Sequence, residues 1–168
     1  MINNMNSPVM YKRIETQEEI DFCAKLRASL DPWITLQRDY NAAVKSLTAS
    51  DHEVYLAIIE HEIAGFAVLS MLGALTGFIL TLCVVPKFQG RSIGSKLLAY
   101  CENRIFQETP NIFLLVSSFN TKAQTFYLRH GYQKIGELND YVIAGYSEYL
   151  MRKTISPRND FYQSKPNL

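Results

Sequence analysis

The order of sequence patterns predicts a single mixed α/β domain, with a mostly antiparallel sheet flanked by about four helices. Three observations carry this reading. A capped pair of helical patterns comes first, an antiparallel meander of strand-like runs follows, and the second half switches to strand–helix–strand–helix. The chain has 168 residues, the size of one domain able to bury a core without disulfide or metal staples. The domain is expected over residues 1–156, with a loose polar tail over 157–168.

Residues 9–14 read as a short strand. Thr16-Gln17-Glu18-Glu19 then offers a capping box, and Ile20, Cys23, Ala24 and Leu26 follow at helical spacing until Asp31-Pro32 ends the helix. A second helix is expected over 36–47, through Tyr40, Ala43, Val44 and Leu47. Residues 53–60 and 63–71 read as a hairpin turning at His61-Glu62. The run 77–85 is apolar nearly throughout, which suits a central strand covered on both faces and stopped by Pro86. Ile93, Leu97, Leu98, Cys101 and Ile105 mark the buried stripe of a helix. A second buried strand (112–116) follows, then a helix that Asn120 caps and Gly131 stops. Strands over 132–136 and 148–153 complete the domain, the exposed last one offering an edge for a possible homodimer.

Composition excludes several classes. A formal net charge of +1 gives no footprint for nucleic acid or an anionic membrane surface. No apolar run approaches the roughly 20 residues of a membrane span, and the N-terminus lacks signal-peptide character. Cys23, Cys83 and Cys101 stand singly, without CxxC spacing, and read as buried free thiols of a reducing, cytoplasmic protein. His52, His61 and His130 have no metal-like spacing, so no metal is expected.

The stretch that carries chemistry is Leu82-Cys83-Val84-Val85-Pro86-Lys87-Phe88-Gln89-Gly90-Arg91-Ser92-Ile93-Gly94-Ser95. A strand leads through a short polar loop with two glycines directly into a helix. The helix N-terminus exposes unpaired amides, and small residues let a phosphate approach them. Neither GxxxxGK[ST] nor GxGxxG is present, which weakens kinase, nucleotidase and dehydrogenase readings.

This segment resembles the GNAT superfamily of acetyl-CoA-dependent N-acetyltransferases, whose signature is Val-x-Pro followed by [Gln/Arg]-x-x-Gly-x-[Gly/Ala]. Here it reads Val84-Val85-Pro86, then Gln89-Gly90-Arg91-Ser92-Ile93-Gly94, with Ser92 replacing the first glycine. A serine amide donates as well as a glycine amide when φ is negative, so the loop is expected to survive with its hydroxyl added. The family's next feature, an Asn and a Tyr seven residues later, is matched by Asn120 and Tyr127.

The resemblance implies a sheet with two splayed central parallel strands and a pantetheine arm in the gap. Leu82, Cys83 and Val84 would then offer backbone groups to pantetheine and the acetyl carbonyl. Gln89, Gly90, Arg91, Ser92, Ile93, Gly94 and Ser95 would bind the pyrophosphate, with Asn120 as a further contact. Tyr127 would protonate the departing thiolate after direct attack by a neutral amine; read without the family, it is a core aromatic beside Phe126. Cys83, on an apolar strand without a base, reads as inert packing.

Ribosomal-protein N-terminal acetyltransferases of the superfamily carry a Glu where this chain has Leu115, which counts against that subtype. Glu148, Tyr146, Asp31 or a water chain remain as acceptors of the amine proton. The resemblance places the acceptor, a small-molecule or peptide amine, near segments that hold Asp31, Trp33, Tyr146 and Glu148, along with Tyr40, Tyr141, Asp39 and Asp140. Cation–π and carboxylate contacts would hold the amine there; a solvated helix face and a tyrosine-rich hairpin account for the same residues. The rival functions are a non-catalytic acyl-CoA sensor and an interaction module whose glycine loop is only a turn.

Overall fold

The computed structural model describes residues 8–165. Its elements, in order, are β1 (Met10–Arg13), α1 (Gln17–Ala28), α2 (Tyr40–Thr48), β2 (His52–Ile59), β3 (Glu62–Ser70) and β4 (Phe78–Val84). A 3-10 turn, Pro86–Phe88, leads to α3 (Ile93–Phe106), β5 (Asn111–Ser117), α4 (Thr121–Arg129), β6 (Gln133–Asn139), β7 (Ser147–Thr154) and α5 (Arg158–Gln163). The seven strands form one mixed sheet in the order β1-β2-β3-β4-β5-β7-β6. β4 and β5 are parallel, through a ladder of two pairs, Phe78 with Phe113 and Ile79 with Leu114. β5 runs antiparallel to β7, and β7 to β6. The expected edge at the last strand is therefore displaced: β7 lies inside the sheet and β6 takes the edge.

The described residues form two compact units, one reaching to Leu69 and including Thr81–Cys101, the other made of Ser70–Leu80 and the residues from Glu102 onward. In the first, Cys23 and Ala24 of α1, Ala43 and Leu47 of α2, Val54 and Leu56 of β2, Phe66 and Val68 of β3 and Cys83 of β4 make one core. Its helices start where the side chains dictate. Thr16 accepts from the Glu19 amide while Glu19 bonds back to Thr16, closing the expected capping box. α2 begins four residues later than expected, because Gln37 turns left-handed (φ 54°) and Asp39 accepts from the Ala42 amide at 2.8 Å. The β2–β3 turn is at Glu60 (φ 49°) and His61 (φ 67°), one residue earlier than expected, since two left-handed residues match the strand twist.

β4 is covered on one face only, contrary to expectation. Ile79, Thr81 and Cys83 are buried, whereas Leu80 is 40% exposed and Leu82 and Val84 are half-buried. Side chains of a strand alternate between faces, so an apolar run alone does not show that both faces are covered.

In the second unit Ile105, Ile112, Leu114, Tyr132 and Met151 are fully buried. Gly77 is required there: a Cβ on it would meet the Asn111 carbonyl oxygen at 2.6 Å. Residues 158–163 of the tail are more ordered than its composition implies, and 166–168 lie outside the described residues. α5 forms beyond Pro157, with Phe161 buried and the Tyr162 hydroxyl donating to the Glu108 carbonyl at 3.1 Å.

Candidate active site

The loop after β4 is held by three features of its own sequence. Pro86 opens the 3-10 turn, the Phe88 side chain is buried, and Gln89 Nε2 folds back to donate to the Val84 carbonyl at 3.2 Å. Two left-handed residues, Gly90 (φ 76°) and Ser92 (φ 59°), then bracket Arg91 and turn the chain into α3. Alternation of left-handed and ordinary residues makes successive amides converge, the geometry of an anion-binding nest. The first-turn amides of α3, at Ile93, Gly94 and Ser95, add the positive end of the helix. A Cβ at Gly90 would meet nothing within 4 Å, so this side of the loop is open.

The condition attached to Ser92 fails: its φ is positive. Entry to α3 demands a left-handed residue at that point, which explains the glycine of the family signature. Serine stands there at a steric cost of about 1–2 kcal/mol.

Around the loop lie exposed cations. Lys87 pairs with Glu62, and the Arg91 guanidinium lies 5.6 Å from the Phe88 ring centroid. A cavity of about 470 Å³ opens beside the loop, lined by Glu18, Phe22, Ile63, Val85 and Lys87 among others. Leu82, Cys83 and Val84 precede the loop as β4 backbone. Cys83 is buried, and that burial raises its thiol pKa to about 12, so it is no nucleophile at neutral pH. β3 crosses close by, and a Cβ on Gly65 would meet the Cys83 carbonyl oxygen at 2.6 Å.

The second unit holds the other group of candidates. Asn120 caps α4 by accepting from the Ala123 amide at 3.1 Å. Gln124 Nε2 donates to the carbonyls of Ser117 and Ser118, both at 3.0 Å, and ties α4 to the end of β5. Tyr127 is 8% exposed and packs edge-on against Phe126 and Tyr132, so its ring is both core and candidate acid. Glu148 is 4% exposed, and its Oε1 accepts from the Ser117 hydroxyl at 2.7 Å. Burial raises its pKa, partly offset by that hydrogen bond.

The remaining acidic candidates hold local backbone. Asp31 Oδ1 accepts from the Thr35 amide and hydroxyl, Asp39 caps α2, and Asp140 accepts from the Gly145 amide at 2.7 Å. Tyr40 donates to Asp21 at 2.8 Å, Tyr146 packs edge-on against Phe119, and Tyr141 is exposed. Trp33 lies under the Arg27 guanidinium, 5.6 Å from its ring centroid.

Arg27, Ser117 and Gln124 were not singled out by sequence. Arg27 had a visible signal, because a charge at the end of the Ile20, Cys23, Ala24 stripe lies on the packed face of α1.

The profile of the Acetyltransferase (GNAT) family matches residues 14–132. The chain is 32% identical over 147 residues to the N-alpha-acetyltransferase RimI of Mycobacterium tuberculosis, covering 82% of this chain and 88% of that protein. In fold it resembles an aminoglycoside 6'-N-acetyltransferase complexed with coenzyme A (TM-score 0.70, 19% identity, 89% of this chain and 98% of the other). The ribosomal-protein-S18-alanine N-acetyltransferase of Escherichia coli has the same fold (TM-score 0.70, 15% identity, 89% and 96% covered). The chain therefore belongs to the GNAT family, the enzymes that move an acetyl group from acetyl-CoA to an amine.

Proposed function

We propose that this N-acetyltransferase passes the acetyl group directly from acetyl-CoA to a primary amine, of a small molecule or at a peptide N-terminus, in a ternary complex. The observation that carries the cofactor half is the pair of left-handed residues at Gly90 and Ser92 immediately before α3. The residues present fit coenzyme A: an open backbone nest, a helix N-terminus and exposed cations suit a pyrophosphate, and the half-covered face of β4 suits a thin apolar arm. Amides of Gly90 to Ser95, with the Arg91 side chain, bind the pyrophosphate. Gln89 fixes the Val84 carbonyl, and Leu82, Cys83 and Val84 present backbone to the thioester. An amide aimed at the thioester oxygen stabilises the negative charge that forms there. Asn120 adds a contact from the cap of α4.

Tyr127 is the proposed acid, giving its phenolic proton to the sulfur as the C–S bond breaks. Glu148 is the proposed base. The related N-terminal acetyltransferases place a Glu where Leu115 stands, on β5. Leu115 pairs with Leu150 and Ser117 pairs with Glu148 across the β5–β7 ladder. Directly opposed residues of a ladder point to one face, and so do residues two apart. Glu148 thus supplies a carboxylate on the face of Leu115, two ladder positions further along. Asp31, Trp33 and Tyr146 complete the proposed acceptor contacts. The similarity to RimI favours a peptide N-terminus, and the small-molecule acceptor stays as the second reading because Leu115 departs from that pattern.

The buried free thiols suit a reducing compartment, and we place the protein in the cytoplasm as one domain over 1–156. No helix among the described residues is long and apolar enough to cross a membrane. The edge strand β6 is the proposed dimer contact.

The test has two stages. Acetyl-CoA and coenzyme A should raise the thermal midpoint, and ATP and NAD should not; ligand at about 100 times its Kd adds roughly 2.7 kcal/mol. An amine and peptide panel with thiol-release detection follows. Midpoint shifts without thiol release from any acceptor would favour the acyl-CoA sensor, and no shift at all would favour the interaction module.

A further inference from the structure

The packed face of α1 ends in a charge. Arg27 follows Ile20, Cys23 and Ala24 on that face, and its Nε and Nη1 are enclosed with no hydrogen-bond acceptor. Among the described residues no carboxylate forms an ion pair with it. Its guanidinium lies over Trp33. The loop bearing Trp33 is tied down by backbone bonds, Leu36 to the Pro32 carbonyl and Arg38 to the Trp33 carbonyl, each 2.9 Å. Burial first, and then the like charge of Arg38, lower the Arg27 pKa. Cys23 and Ala24 of the same face share a core with Cys83 of β4, within the stretch proposed to face the thioester, and Trp33 packs against that core.

Charged donors enclosed without an acceptor are costly, and folds retain them where a ligand completes them. An incoming ammonium gains nothing here, since a protein cation already covers Trp33. A carboxylate gains a planar guanidinium whose fork matches its own geometry.

We infer that Arg27, seated on Trp33, binds a carboxylate carried by the acceptor amine. The inference rests on the transferase reading and narrows its substrate class to amino-acid-like or acidic-peptide amines.

The experiment uses matched acceptors, amines ending in a carboxylate and their primary carboxamides, with thiol release as the readout. In the wild type kcat/KM should favour the carboxylate by about tenfold or more. Arg27→Met should bring the ratio near one, with the carboxamide rate and acetyl-CoA affinity unchanged, and Arg27→Lys should keep part of the preference. A second readout needs no turnover. Arg27→Met removes an unpaired charge, so without acceptor it should melt no lower than the wild type, and the carboxylate acceptor should raise the wild-type midpoint alone. Absence of preference, a preference that survives Arg27→Met, or a variant that melts well below the wild type would each overturn the site. If neither member of any pair releases thiol while coenzyme A binds, the transferase reading fails; the carboxylate-dependent midpoint shift then still decides the Arg27 site.

Discussion

The candidate residues of the two units differ in what they offer a ligand. In the first unit, the proposed site from Gly90 to Ser95 is backbone: two left-handed residues and the start of α3, with side chains that hold the turn. In the second unit, Tyr127, Glu148, Ser117 and Gln124 present side chains, each fixed by packing or a hydrogen bond. A backbone site should tolerate side-chain replacement that keeps the dihedrals and fail when they change. A side-chain site should fail on loss of one functional atom even when the fold is untouched.

Tyr127→Phe gives the largest expected effect. Loss of one hydroxyl should lower kcat by about 10²-fold, the contribution of a positioned acid, with acetyl-CoA affinity little changed. Steady-state kinetics checks this; a kcat within twofold of wild type would return Tyr127 to the core.

Gly90→Val should weaken coenzyme A binding by about tenfold, because a β-branched residue at φ 76° costs at least 1–2 kcal/mol. Arg91→Met, which keeps the turn, should cost less. Calorimetric titration of both variants compares them directly, and the reverse order would contradict a backbone site.

Glu148→Gln sharpens the other side. Burial holds the Glu148 carboxyl above its ordinary range, so between the unfolded value and the raised folded one the native protein keeps the extra proton. Its contribution to stability is present below the unfolded pKa and lost as pH rises through the folded pKa. Gln keeps an acceptor for Ser117 but has no such slope. As pH rises from the unfolded carboxylate value through the raised folded one, the variant's midpoint should therefore gain on the wild type, while kcat falls with loss of the base. A variant with wild-type kcat would remove Glu148 from the chemistry.

Ser92→Gly has the smallest effect. It relieves the left-handed strain and should raise stability by about 0.5–1 kcal/mol in urea unfolding, with coenzyme A affinity kept or improved. A loss of stability would mean that the serine hydroxyl makes a contact worth more than the strain.

The same contrast explains what could be read from sequence. A backbone site needs particular residues at fixed spacing, so Pro86, Gly90 and Gly94 announce the loop, as Asn120 and Gly131 announce the ends of α4. The left-handed state of Ser92 is not legible in the sequence, because the residue type conceals a dihedral that only the turn imposes. Side-chain sites leave no such spacing. Ser117 meets Glu148 only through the β5–β7 register, 31 positions apart in the chain. Arg27 reaches Trp33 only through the closed loop after α1. Three of the four candidate carboxylates proved to be local caps or turns, a role that Asp plays whatever the distant fold. α5 was hidden by its polar composition, since one buried Phe161 is enough to dock it.

On this reading the backbone of residues 90–95 holds the pyrophosphate of coenzyme A. Calorimetric titration of the wild type and Gly90→Val with coenzyme A and with pantetheine, which lacks the phosphates and the adenosine, measures that contact. The wild type should bind coenzyme A at least about tenfold more tightly than pantetheine, and Gly90→Val should lose most of that gap while its pantetheine affinity holds. Equal affinity of the wild type for the two ligands, or a gap untouched by Gly90→Val, would contradict it.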